Sequence, residues 1–411
     1  MTNGNIFKRK NTELLMEISP KLVRYIISTT EKKIQTLPAQ RRDVYNEIKK
    51  GMTILWGLRG VGKTTLMLQH LKENKGLYFK LDHFLFNAHK IYEIVDYFHA
   101  KGYTNFYLDE IHTYKNWYKE LKDIYDDFDI NVVASGSSAI ALSKGYAYLT
   151  RRAKFIHVEP LSFREYLNLK YKTQIKKLKL KDILENPQET IAKLELKIKN
   201  LEEEFNFYVR YGGLPIVFSL DFHPSFYVQI TNRILTYDLL YLNISRETIL
   251  KAKQIIPFLA KSSPGEINIE SISASSGISK GTLYIIFDVL KKAGLLHSIT
   301  PYTKSAHSKL RKQPKFYFAH PSLRHNLLID IGENENIGSY REEFFFSAIK
   351  NYFKSINYIK GERKNPDFIA NGYLFEIGGK RKLKKEYRKE VIVVKDDINA
   401  EHPLLLFGFL N

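Results

Sequence analysis

The chain has 411 residues, a formal net charge of +20, a hydrophobic share of 44% and no cysteine. Disulfides, thiolate catalysis and cysteine-type zinc sites are therefore excluded. The excess of base predicts an anionic partner larger than a nucleotide, with nucleic acid ahead of an anionic membrane surface. No apolar run approaches the ~20 residues that cross a bilayer, and Met1 to Lys10 is polar and basic with no apolar signal core. The expectation is a cytoplasmic protein with no membrane association.

Residues 11–50 read as helical, with Leu14, Leu15, Ile18, Leu22, Tyr25 and Ile26 at helix-like spacing. Leu37 to Arg42 interrupts, and a second short helix is expected to reach Lys50. The pair Arg41-Arg42 reads as a solvated face. Thr53-Ile54-Leu55-Trp56 then forms a short buried strand, followed by Gly57-Leu58-Arg59-Gly60-Val61-Gly62-Lys63-Thr64-Thr65 and a helix from Leu66. That stretch fits G-x-x-x-x-G-K-[ST] in the strand-loop-helix setting its chemistry needs. Backbone N–H groups of Gly57, Arg59, Gly60, Val61 and Gly62 would curl around phosphates at a helix N-terminus. Lys63 would reach the β- and γ-phosphates, Thr64 would ligate Mg²⁺, and Thr65 is a further nucleotide-binding candidate. The predicted cofactors are ATP and Mg²⁺.

A second strand is expected at Gly76 to Asp82 and a helix from Ile91 to Ala100. Asn105 to Ile111 reads as a buried strand ending in Asp109 and Glu110, which is a Walker B pattern. Asp109 would hold the Mg²⁺ shell, and Glu110 would orient and polarise the attacking water. Asp129 to Ser138 reads as another buried strand running into a polar turn, expected beside the phosphate-loop strand. Ser135 or Ser137 there would sense the γ-phosphate, or would serve as an ordinary helix N-cap. Arg151 and Arg152 precede a strand at Phe155 to Val158. One of them would stabilise charge on a neighbouring subunit's nucleotide in a homo-oligomer, or both would be surface arginines.

Gly57 to Thr65, Leu108-Asp109-Glu110-Ile111 with Asn116-Trp117, the Ser135-Gly136-Ser137-Ser138 turn, Glu159 to Tyr166 and Tyr211-Gly212-Gly213-Leu214-Pro215 together resemble the prokaryotic AAA+-type ATPases of the archaeal/STAND-related clade. The resemblance covers nearly the whole chain. It implies an α/β P-loop core with a helical lid, then a winged helix-turn-helix and a small restriction-nuclease-like domain. The expected boundaries are 1–160 for the core with its N-terminal helices, 161–245 for the lid, 246–325 for the winged helix and 336–411 for the nuclease-like domain.

Within the lid, Ile191, Leu194, Ile198, Leu201, Phe205 and Tyr208 form a narrow apolar seam behind Asn186-Pro187, expected to pack on another lid helix or a neighbouring subunit. Further on, Ile269 to Ser276 and Ser279 to Ala293 read as two helices across a turn at Gly277. Strands at Leu295 to Thr300 and Lys315 to Phe318 would make the wing. Lys280, Lys304, Lys309, Arg311 and Lys312 are the candidate nucleic-acid contacts, although such a unit also docks proteins.

The last 75 residues read as a helix from Glu342 to Phe353 and four strands. Pro366-Asp367 and Glu376-Ile377-Gly378 resemble the PD-(D/E)xK nuclease superfamily, with Gly378 at the usual lysine position. The resemblance implies a second metal site at Asp367 and Glu376, with Lys380 and the helix residue Glu343 as further candidates. A bulge at Gly378-Gly379 would bring Lys380 closer. The expected function is ATP hydrolysis coupled to conformational change on DNA. The alternatives are a slow nucleotide-controlled scaffold that recruits a protein, and an ATP-regulated metal-dependent nuclease.

Overall fold

The computed structural model describes residues 18–137, 145–302, 313–334, 337–359, 365–382 and 390–411. Leu14, Leu15, Ser138, Lys304, Lys309, Arg311 and Lys312 lie outside the described residues.

The chain opens with helix α1 (Pro20–Gln35), followed by a 3-10 turn (Asp43–Glu47) where a second α-helix was expected. A five-stranded parallel sheet comes next, built from β1 (Met52–Trp56), β2 (Leu77–Lys80), β3 (Asn105–Asp109), β4 (Asn131–Gly136) and β5 (Ala153–His157). Its order is β2-β3-β4-β1-β5, so the strand before the phosphate loop lies between β4 and β5. The connecting helices are α2 (Lys63–Asn74), α3 (Ile91–His99) and α4 (Trp117–Asp127). Parallel strands buried on both faces read as continuous apolar runs, and β1, β3 and β4 do so here. One face of the sheet is covered by α1, α3 and α4 through Leu22, Ile26, Ile94, Phe98, Trp117 and Leu121.

The segment expected to form a lid comprises α5 (Phe163–Tyr171), α6 (Leu180–Glu185), α7 (Pro187–Glu195), α8 (Leu201–Tyr211) and α9 (Ser225–Tyr241). The expected seam is buried along its whole length, but it belongs to two helices. Asn200 takes a left-handed conformation (φ 57°) and starts α8 afresh. Ile191, Phe205 and Tyr208 share a core with Phe344, Phe375 and Phe407, so the seam packs on the C-terminal unit of the same chain. By contrast α9 shares a core with α2 through Ile230, Ile234 and Leu235.

The chain continues as α10 (Arg246–Lys261), α11 (Ile269–Ser276) and α12 (Lys280–Lys292). The turn between α11 and α12 has Gly277 at φ 67° and Ser279 as N-cap, its hydroxyl accepting from Thr282 N. An antiparallel sheet of order β6-β8-β7 follows, from β6 (Gly265–Glu266), β7 (Leu296–Ile299) and β8 (Lys315–Phe318). Helix α13 (Pro321–Asp330) leads to α14 (Ile337–Ile349), which starts and ends earlier than the sequence suggested.

The last sheet has the order β12-β11-β10-β9, with β9 (Ile356–Asn357), β10 (Phe368–Ala370), β11 (Tyr373–Gly379) and β12 (Ile392–Asp396). Asn371 and Gly372 both adopt positive φ in the β10–β11 hairpin, as a tight primed turn requires. Strand β11 pairs in regular register through Gly378↔Lys395 and Gly379↔Asp396, so no bulge there brings Lys380 closer. No helix among the described residues is long and apolar enough to cross a membrane.

Candidate nucleotide site

The loop between β1 and α2 depends on three glycines with positive φ, Gly57 (141°), Gly60 (85°) and Gly62 (94°). A Cβ on Gly57 would also lie 2.4 Å from the Val158 carbonyl oxygen, so no larger residue fits that turn. Arg59 sits on the loop with its side chain partly exposed, and Thr65 is in the first turn of α2.

Lys63 is buried, and its Nζ donates to the carbonyls of Gly57 (2.9 Å) and Leu58 (2.8 Å). Burial lowers its pKa to about 8, against the opposing charges of Glu110 and Asp109. Arg42, expected on a solvated face, is instead buried. Its guanidinium donates to the Val61 carbonyl (2.8 Å) and the Glu159 carbonyl (2.9 Å) and pairs bidentately with Glu165 (2.8 and 3.2 Å). The physical reason is charge satisfaction: Glu165 and loop carbonyls surround all of its donors, so burial is tolerable. Arg41 remains at the surface and pairs with Glu73.

Register brings β3 and β4 side by side, which places Asp109 and Ser135 together at the carboxyl ends of the strands. Asp109 is buried and accepts from Thr64 Oγ1 (3.0 and 3.2 Å), Tyr78 OH (2.7 Å), Glu110 N (3.2 Å) and Ser135 Oγ. The Thr64 hydroxyl and the Asp109 carboxylate are adjacent hard oxygen donors, the set Mg²⁺ takes together with phosphate oxygens and water. Among the described residues no group of three acidic, histidine or cysteine side chains forms a metal cage by itself. The donor set fits Mg²⁺ delivered with a nucleotide.

Glu110 stands just beyond the strand in a left-handed conformation (φ 54°), which turns its side chain away from that of Asp109. Its carboxylate lies 3.9 Å from Arg59 Nη1, 3.4 Å from His112 Nδ1 and 3.5 Å from Ser137 Oγ. Burial, then the charge of Asp109, pushes the Glu110 pKa upward. Burial, helped by the charges of Lys63, Arg59 and Arg233, lowers His112 to about 4 and keeps it neutral.

A cavity of about 240 Å³ opens beside these groups, lined by Arg59, His112, Ser137, Arg233, Tyr237 and their neighbours. Arg233 reaches it from α9 and lies 4.9 Å over the Tyr237 ring. Sequence reading passed over Arg233 because no motif marks it; only the fold carries α9 to the loop. Tyr78 was missed for the same reason, and His112 was missed as well, although its place two residues after Glu110 is a signal that could have marked it.

The remaining candidates fall elsewhere. Arg152 is held bidentately by Asp126 of α4 (2.7 and 2.9 Å), and Arg151 is exposed beside it. Lys280 is paired with Glu270 (2.6 Å), both side chains remaining exposed. In the C-terminal unit, Asp367 and Glu376 come together and Asp367 accepts from Ile377 N (2.7 Å). Glu343 does not join them: it is fully buried against Arg324 (2.7 Å) and Phe318 N (3.0 Å). Lys380 points outward to Glu202 (3.4 Å). Glu342 and Lys382 occupy their places. Burial and the charge of Asp367 raise Glu342, and Lys382 Nζ lies 2.5 Å from Glu376 Oε1. The Lys382 stem runs over Gly378, where a Cβ would lie 2.4 Å from its Cγ, so the missing side chain makes room for the lysine from further along the chain.

Comparison with known proteins agrees with the geometry of the loop. The AAA domain family matches residues 49–167, and a domain of unknown function, DUF8612, matches residues 202–335. The uncharacterized protein MJ1637 of Methanocaldococcus jannaschii is 30% identical over 407 residues, covering 88% of this chain and 85% of that protein. An uncharacterized protein of Haemophilus influenzae is 24% identical over 273 residues, covering 64% of this chain and 62% of that protein. Among solved structures, the Thermotoga maritima RuvB Holliday junction branch migration motor aligns with 73% of this chain and 99% of its own at 16% identity. Its TM-score of 0.30 is too low to carry an argument.

Proposed function

The chain belongs to the same family as its Methanocaldococcus jannaschii relative, and its residues 49–167 match the AAA domain family; from that premise we propose that it is a P-loop ATPase that hydrolyses Mg²⁺-ATP and couples turnover to a conformational change on DNA. The observation that carries the hydrolytic part is the convergence of Lys63, Thr64, Asp109, Glu110 and Ser135 at the carboxyl ends of β1, β3 and β4. Lys63 would exchange its two loop carbonyls for phosphate oxygens. Asp109 and Thr64 would hold the metal, which supplies charge neutralisation at the phosphates when bound. Glu110 would take a proton from the attacking water, and Arg59 and Arg233 would face the phosphates across the cavity they line. Coupling has a physical route, since α9 and the segment before it pack against the loop: Ile230 Cδ1 of α9 and Leu214 Cδ1, ahead of that helix, lie 3.4 and 3.6 Å from the position of a Cβ on Gly60.

The DNA part rests on the +20 charge and on α11, α12 and the β6-β8-β7 sheet, read as a winged helix. Binding to duplex DNA should weaken steeply as salt rises, because phosphate contacts release counterions. Charge reversal at Lys309, Arg311 and Lys312 should weaken it further, as read by fluorescence anisotropy. Undetectable binding at ~50 mM salt would favour the scaffold reading, for which the exposed Tyr284 and Ile285 on α12 offer a docking face.

A second reading, a metal-dependent nuclease in the C-terminal unit, is favoured by one observation: Lys382 pairs with Glu376 where Lys380 does not, while the charges of Asp367 and Glu376 act on Glu342, although these acids form no metal cage by themselves. Plasmid cleavage in Mn²⁺ that is lost in both Asp367→Ala and Lys382→Ala would establish it. Cleavage that survives both changes, or no cleavage by the unaltered protein, would remove it.

A further inference from the structure

We propose that Tyr78 is the positioning residue that fixes the Asp109 carboxylate for the metal–nucleotide complex. The inference rests on the ATPase reading above and assigns part of its metal affinity to a residue outside every motif.

Tyr78 and Lys80 share one face of β2, and the register sets Tyr78 opposite Tyr107 and Lys80 opposite Asp109. From two residues back, the Tyr78 ring spans the distance to the strand end and donates its hydroxyl to Asp109 Oδ2 at 2.7 Å. The ring is 1% exposed, so the hydroxyl has no competing water. A phenol is protonated near neutral pH, and beside a carboxylate it can only donate.

The other donors to Asp109 have further tasks or touch the other oxygen. Thr64 Oγ1 lies 3.0 Å from Oδ2, but it is also the hydroxyl that the metal takes. Ser135 and the Glu110 N–H both address Oδ1. Tyr78 is therefore the donor that holds Oδ2 independently of the metal, and with Ser135 on Oδ1 it fixes the plane of the carboxylate. A metal ligand left free to rotate must be ordered at the moment of binding, which lowers affinity.

The test uses the full chain, a fluorescent ATP analogue and Mg²⁺. Tyr78→Phe keeps the ring and removes only the donor. It should raise the Mg²⁺ concentration for half-maximal analogue binding about 10-fold, while binding in EDTA stays as in the unaltered protein. Tyr107→Phe, which removes a hydroxyl paired with His70 at 2.8 Å, should leave the Mg²⁺ midpoint unchanged. In an Asp109→Asn background the Tyr78 change should add nothing, as coupling through one carboxylate requires. An unchanged Mg²⁺ midpoint in folded Tyr78→Phe, or a full effect persisting in Asp109→Asn, would overturn the inference alone. An unaltered protein that binds no analogue with or without Mg²⁺ would overturn the ATPase reading and this inference with it. If Tyr78→Phe does not fold, 3-fluorotyrosine at position 78 carries the test, since its fluorine resonance should move on adding Mg²⁺ with the analogue. A resonance that stays still would count against the role.

Discussion

Glu110→Gln is expected to bind ATP as the unaltered protein does and to lose turnover by roughly 10²–10⁴-fold. Glutamine keeps the size and the hydrogen-bonding reach of the side chain but cannot accept a proton from water. The geometry separates the two tasks. Asp109 accepts from Thr64, Tyr78, Ser135 and the Glu110 amide, whereas among the described residues the Glu110 carboxylate has only long contacts, to Arg59, His112 and Ser137. A carboxylate whose pKa burial has raised, with few tight partners, is suited to take a proton and ill suited to hold a metal. Equilibrium binding and single-turnover hydrolysis on the same preparation would check this. Turnover at the ordinary rate would remove Glu110 from the chemistry.

Arg42→Ala should destabilise the folded chain by about 3–5 kcal/mol, the usual cost of breaking a buried pair by removing one partner. The loss leaves Glu165 buried without its guanidinium and releases the carbonyls of Val61 and Glu159. Arg42→Lys should recover little, because a point charge cannot reproduce the bidentate contact and two carbonyl bonds together. Since Val61 belongs to the phosphate loop, both variants should also weaken nucleotide binding at temperatures where they remain folded. Calorimetry and binding at low temperature would read the two effects separately. An Arg42→Ala protein that melts at the unaltered temperature would contradict the role given to this arginine.

The phosphate loop and the Walker B strand were legible because their chemistry demands fixed residue types at fixed local spacing. Gly57, Gly60 and Gly62 announce positive φ, and Asp109-Glu110 closes an apolar strand. What sequence concealed are contacts made across the fold. Arg42 looks like its neighbour Arg41 until Glu165, more than a hundred residues later, is brought against it. Tyr78 looks like any strand aromatic, and Arg233 like any helix arginine. The C-terminal unit makes the same point at closer range. Glu342 and Glu343 are adjacent on α14, and only the packing decides that Glu343 pairs with Arg324 while Glu342 faces Asp367. Lys382 was hidden because a lysine four residues beyond Gly378 has no motif spacing; it reaches Glu376 across the space that the glycine leaves open. The seam from Ile191 to Tyr208 was read correctly as buried, but its partner, an aromatic core around Phe344 and Phe407, lies beyond the reach of periodicity.

The most direct test of the central claim is steady-state phosphate release from ATP by the purified full chain in Mg²⁺, with and without duplex DNA, beside Lys63→Ala. The account predicts Mg²⁺-dependent release that DNA changes and that Lys63→Ala abolishes together with nucleotide binding. Release that is absent from the unaltered protein, or that persists in Lys63→Ala, would contradict it.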